Sequence, residues 1–138
     1  YSNWGIMFAK DEFMPPERAR QLNPVTLAFV GDAVYSLYVR ERLVLKGDYK
    51  TGTLQKLASA SVSARGQSAL CEKLLPLFTE EEADIFRRGR NAKKPTRAKN
   101  AAVGEYNRST GLEAVIGYLY LTGQYQRIDS LLKEEDEN

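Results

Sequence analysis

The stretch AFVGDAVYSLYVR, residues 28–40, constrains the fold more than any other. At about 100° per residue, Phe29, Val30, Ala33, Val34, Leu37, Tyr38 and Val39 occupy nearly the whole circumference of a helix, and Asp32 is the one acid among them. Such a helix lacks a wide polar face and has to be covered on more than one side. The stretch STGLEAVIGYLYL, residues 109–121, has the same character: Leu112, Ala114, Val115, Ile116, Tyr118, Leu119, Tyr120 and Leu121 surround a single acid, Glu113. An isolated carboxylate in apolar surroundings is costly enough to protonate or to require a partner. Asp32 and Glu113 are therefore read as neighbours on two core helices, and two neighbouring anions call for a cation. Two other readings stay open: Asp32 pairing with Arg40 or Arg65, and Glu113 as the third helical residue of a capping box with Thr110.

Local signals place the remaining elements. Asn23-Pro24 is a helix start, with an N-cap before a proline at the first helical position, and the apolar pattern runs to Lys46 before Gly47. A second helix is expected from about Thr53 to Leu75, carrying Leu54, Leu57, Ala58, Val62, Gln67 and Leu70 and stopped by Pro76. TEEEADIF, residues 79–86, opens a third, with Thr79 and Glu82 as a capping box and Glu80, Glu81 and Glu82 where the helix dipole favours acids. One long helix or two abutting ones should end near Gly123, and a short last helix should span Gln124 to Leu132. No segment alternates as a strand does, so the expected class is all-α and compact.

Composition removes whole classes of chemistry. The chain of 138 residues has no histidine, which excludes Ser-His and Cys-His nucleophiles and the histidine-based zinc and iron sites. For a hydrolase, a hard cation held by carboxylates is then the most economical route to an activated water. A single cysteine, Cys71, excludes an internal disulfide framework and fits a reduced compartment, and the expected location is the cytoplasm. No apolar run approaches the roughly 18 residues of a membrane span.

Between Arg87 and Lys99 the chain carries seven basic residues, Arg87, Arg88, Arg90, Lys93, Lys94, Arg97 and Lys99, and no acid, while its net charge is only +2. The rest is therefore net negative, and the concentrated positive charge has the electrostatic footprint of a phosphate-binding segment. Gly89, Asn91 and Pro95 suggest an exposed loop.

Together, LAFVGDAVYSLYVR and STGLEAVIGYLYL resemble the ribonuclease III catalytic domain, whose hallmark helix ends an acid-rich stretch in Gly-Asp-Ala-Val and whose later helix carries Glu-Ala followed by Ile-Gly. With TEEEADIFRRGRNAK leading into KN, the ordered set is similar to the Mini-III subgroup, over about residues 20–133. The resemblance implies the ribonuclease III endonuclease-domain fold as a homodimer, cutting double-stranded RNA with Mg²⁺, or Mn²⁺ in its place. It also implies 5′-phosphate and 3′-hydroxyl ends and a role in 23S ribosomal RNA maturation, with a ribosomal protein as a further partner. Asp32 and Glu113 match the family's metal-binding, catalytic acids. The chain departs from the wider family at Ala28 and Thr110, where that family has acids, as Mini-III proteins also do. A non-catalytic RNA- or ribosome-binding module on the same fold is the rival reading, and retention of both Asp32 and Glu113 argues against it. RNA contacts are expected from the seven basic residues and Arg108, and a dimer seam from Val30, Val34 and Leu37. Residues 1–19 are read as an N-terminal arm, 20–133 as the catalytic domain and 134–138 as an acidic tail.

Overall fold

In a computed structural model, which describes residues 12–94 and 103–136, the chain is helical and forms no strand among those residues. The helices are α1 (Pro16–Gln21), α2 (Pro24–Lys46), α3 (Thr51–Val62), α4 (Ala64–Leu74), α5 (Glu80–Asn91), α6 (Val103–Leu121) and α7 (Tyr125–Leu132), with 3-10 turns at Leu75–Leu77 and Lys133–Asp136. The all-α class read from the sequence holds. From Ser109 to Leu119, α6 is buried at every position except Glu113, because α1, α2, α4, α5 and α7 all pack on it. That is why its sequence has no polar face.

The tightest of these packings is between α2 and α6. A Cβ on Gly31 would lie 1.8 Å from the backbone oxygen of Glu113, and one on Gly117 would lie 1.9 Å from that of Leu27. The two backbones are in direct contact, and only residues without a Cβ permit it. Leu27, Ala28, Tyr35 and Val39 then face the core from α2.

The local signals behave as their chemistry requires. The Asn23 side chain accepts from the Val25 amide at 2.9 Å and starts α2. At the start of α5, the Thr79 hydroxyl accepts from the Glu82 amide at 3.1 Å and the Glu82 carboxylate accepts from the Thr79 amide at 2.9 Å. Burial alone would raise the Glu82 pKa. Arg127, which donates to both carboxylate oxygens at 2.8 Å, and Thr79 outweigh burial and hold it below the ordinary value, tying α7 to α5. Glu81 accepts from the buried Tyr118 hydroxyl at 2.9 Å and pairs with Arg20, and Asp84 pairs with Arg87. The acidic start of α5 is structural.

Three expectations are corrected. The helix expected from Thr53 to Leu75 is two: Ser63 is extended, and its hydroxyl accepts from the Gly66 amide at 3.0 Å, capping a new helix in a new direction. Gly89 does not break the basic segment; α5 continues through it to Asn91, and Gly89 packs on Gly111, where an added Cβ would lie 3.0 Å from the Gly111 Cα. Arg87, Arg88 and Arg90 are therefore helical. Asp32 is not buried but exposed, on a side of α2 that the described residues leave uncovered, with Phe29 80% and Leu37 48% exposed nearby. Val30 and Val34 are half-buried, Val34 packing on the core. Ahead of α2, the Met14 amide donates to Leu121 O at 2.9 Å and Ala19 is fully buried.

Gly31→Ala and Gly117→Ala are each expected to lower the unfolding free energy by about 3 kcal/mol, since the helices must separate to admit the methyl. Gly47→Ala, with nothing within 4 Å of its added Cβ, should change it by less than about 0.5 kcal/mol. Denaturant titration of the three variants checks this, and equal midpoints would refute the close-contact account.

Candidate active site

The helix crossing that buries Gly31 also places its neighbour. With Gly31 against the carbonyl of Glu113, Asp32 lies near enough to the Glu113 side chain for its charge to act on it. The meeting of the two lone acids expected from the sequence therefore occurs, at the edge of the core and not within it. Glu113 is half-buried, and its carboxylate accepts from Gln67 Nε2 on α4 at 2.9 Å. Burial pushes the Glu113 pKa up to about 8; the Gln67 hydrogen bond opposes that, and the charge and hydrogen bond of Asp32 add to it.

The other two readings of these acids fail. The described part of α6 begins at Val103, so Thr110 lies inside a helix and donates to Tyr106 O at 3.1 Å instead of capping. Arg65 faces Glu105 at 3.8 Å, and neither it nor Arg40 pairs with Asp32. Ala28 and Thr110, one turn before Asp32 and Glu113, are both 5% exposed and add no carboxylate. Among the described residues no group of three or more His, Cys, Asp or Glu is placed to hold a metal.

Two carboxylates nevertheless fit a hard divalent cation of the magnesium type, which keeps several waters and is bound through one or two carboxylates together with substrate phosphates. Gln67 Oε1 is buried and accepts no hydrogen bond from the described residues, and it shares an amide with the nitrogen that holds Glu113.

Residues 25–124 match the Ribonuclease III domain family. The chain belongs to the ribonuclease III family. It is 46% identical over 112 residues to the Mini-ribonuclease 3 of Symbiobacterium thermophilum, covering 81% of this chain and 86% of that one. It is 47% identical over 115 residues to that of Staphylococcus aureus, covering 82% and 86%. A crystal structure of a Fusobacterium nucleatum protein superposes with a TM-score of 0.80 at 33% identity, covering 86% of this chain and 97% of that one. Membership in the ribonuclease III family makes the chain an endoribonuclease of double-stranded RNA.

The basic residues of this ribonuclease III domain divide by what already holds them. Arg87 is paired with Asp84, and Arg88 donates to Leu22 O at 3.4 Å, which ties α5 to the turn before α2. Arg108 is half-buried and donates to Ser68 Oγ at 2.7 Å. Arg90 is exposed over the Phe86 ring at 5.9 Å, Lys93 is exposed, and Lys94 donates to Arg90 O at 2.8 Å. Arg97 and Lys99 lie outside the described residues. Cys71 supplies no nucleophile, since burial pushes its thiol up to about 12. No helix among the described residues is long and apolar enough to cross a membrane.

Sequence reasoning placed Gln67 among core positions and missed its role. The available signal was a large amide in a row of otherwise apolar positions. It also left Phe29, the most exposed aromatic of α2, out of the expected seam.

In metal-free protein, Asp32→Asn should lower the Glu113 pKa from about 8, because it removes a neighbouring negative charge while leaving Glu113 buried. Carboxyl carbon NMR across a pH titration reads this directly; an unmoved Glu113 midpoint would mean that the two side chains do not interact.

Proposed function

We propose that Asp32 and Glu113 form the hydrolytic centre and together hold Mg²⁺, with Mn²⁺ able to replace it. The observation that carries this reading is the juxtaposition of the two acids at the α2–α6 crossing, where one carboxylate is exposed and the other is anchored from behind. When bound, the cation activates water for attack on phosphorus and offsets the charge that develops on the phosphoryl oxygens and the leaving oxygen. Asp32, at the surface, is where a backbone phosphate can approach. Glu113, gripped by Gln67, sets the depth and orientation of the site. Water adds to phosphorus and the bond to the 3′ oxygen breaks, leaving 5′-phosphate and 3′-hydroxyl ends.

The exposed ends of Arg90 and Lys93, with Arg87 and Arg88 and the basic residues beyond them, are proposed to hold the backbone of the duplex. An A-form duplex displays phosphates and 2′-hydroxyls more readily than base edges, so recognition is by shape. The proposed substrate is precursor 23S ribosomal RNA in the cytoplasm, with a ribosomal protein as an accessory partner. Two cuts on opposite strands require two centres, which a two-fold homodimer supplies. The uncovered apolar side of α2, with Phe29 and Leu37 exposed and Val30 and Val34 half-buried, supports a seam there.

Asp32→Asn and Glu113→Gln are each expected to reduce cleavage of duplex RNA in Mg²⁺ by about 10³-fold or more while leaving duplex binding within a few-fold. Single-turnover cleavage and gel-shift titration check the two halves, and turnover near wild type in either folded variant would remove the centre from these residues. Leu37→Asp should yield a folded monomer that no longer cuts both strands in one encounter, read by sedimentation at micromolar concentration. Val34 is a poorer probe because it also packs on this chain's own core.

A further inference from the structure

Gln67 is 1% exposed and sits in the first turns of α4, directly after the elbow at Ser63. The elbow frees the last carbonyls of α3, and each finds a side chain. Ala60 O accepts from the Ser63 hydroxyl at 2.9 Å, Ser61 O from the Tyr35 hydroxyl at 3.3 Å and Val62 O from Gln67 Nε2 at 3.0 Å. Gly66 lets the chain turn this sharply, since a Cβ there would lie 2.3 Å from Ala60 O.

The bond to Val62 O determines which way the Gln67 amide faces. A carbonyl accepts only, so the nitrogen must point to it, and reversing the amide would set two oxygens against each other. With one N–H so committed, the other is directed at Glu113 Oε2 at 2.9 Å. A neutral donor orients a carboxylate without neutralising it, whereas a lysine or arginine in its place would compete with a cation for the charge. The break between α3 and α4, which the sequence did not reveal, thus delivers a fixed donor to one oxygen of Glu113 and leaves the remainder of that carboxylate to face Asp32.

Taking Asp32 and Glu113 as the cation ligands, we propose that Gln67 is a positioning residue that locks the Glu113 carboxylate in the geometry for metal binding and thereby sets the metal affinity of the enzyme. Outer hydrogen-bond partners of metal ligands typically alter affinity or activity by about 10–100-fold when removed. A purely architectural role at the elbow would instead affect stability alone.

The test compares the full chain with Gln67→Met, which keeps length and shape but donates nothing, and with Tyr35→Phe, which loosens the same elbow at Ser61 O and leaves the Gln67–Glu113 hydrogen bond in place. Mn²⁺ binding is measured by electron paramagnetic resonance without RNA, thermal unfolding is recorded, and the Mg²⁺ dependence of cleavage is followed. The expected result is about tenfold weaker Mn²⁺ binding and about tenfold higher half-saturating Mg²⁺ for Gln67→Met, with turnover largely recovered at saturating Mg²⁺. Tyr35→Phe should lose stability yet keep wild-type Mn²⁺ affinity. Wild-type Mn²⁺ affinity in folded Gln67→Met overturns the proposal. Should that variant not fold, Gln67→Asn, whose shorter side chain cannot span both acceptors, is judged by the same measurements. Asp32→Asn is the reference: if it too binds Mn²⁺ as wild type, the cation site itself is misplaced and the proposal falls with it. If only Gln67→Met does, the site stands and Gln67 is architectural.

Discussion

The contact between the backbones of α2 and α6 governs the rest of the structure. Glycine in the middle of a helix costs about 1 kcal/mol relative to alanine, and this chain accepts that cost on both partners, at Gly31 and Gly117. In return the helices approach until only hydrogen atoms separate a Cα from the facing carbonyl, at Glu113 on one side and Leu27 on the other. Side chains flanking the crossing then seal it at interior packing density. Because Asp32 follows Gly31 and Glu113 offers its own carbonyl to that glycine, the distance between the two carboxylates is a consequence of the helix spacing. Larger residues at the crossing would part the acids before they unfolded the domain.

Two glutamates withdrawn from solvent to different degrees show how the chain assigns opposite tasks to one residue type. Glu82 is 3% exposed yet has a lowered pKa, because Arg127 and the Thr79 cap reward its charge more than burial penalises it. Its ionised form ties α5 to α7. Glu113 is more open but is raised to about 8, because burial dominates and the charge of Asp32 adds to it. One arrangement consumes the negative charge within the fold. The other leaves it unanswered except by the neutral Gln67 amide, and a carboxylate left in that condition is suited to bind a cation.

What the sequence revealed and what it concealed divide along the range of the interactions. The Asn23-Pro24 start and the Thr79–Glu82 capping box were legible because their partners lie two or three residues apart. The pairing of Asp32 with Glu113 was legible for another reason: two solitary acids in apolar helices need a common explanation. The elbow at Ser63 was concealed, since SVSARG has no proline and its single glycine serves a contact with Ala60 that exists only once the chain has turned. Gly89 read as a breaker because its packing partner, Gly111, is remote in sequence. The apolar wrap of α2 was read as burial around Asp32, whereas one side of that helix is uncovered by the described residues.

The sequence by itself determined the helical class, the membership of the family and the two acids proposed to form the hydrolytic centre, because residue identity, spacing and the absence of histidine limit the chemistry before any coordinate is known. Tertiary structure alone decided that Asp32 faces solvent while Glu113 is gripped from behind, that Gln67 does the gripping, and that Arg87, Arg88 and Arg108 already have partners within the domain. Apart from the Arg87–Asp84 pair, which lies within one helical turn, these contacts join groups remote in sequence, and hydrogen-bond geometry between them is set by how the helices pack, which no local pattern in the chain encodes.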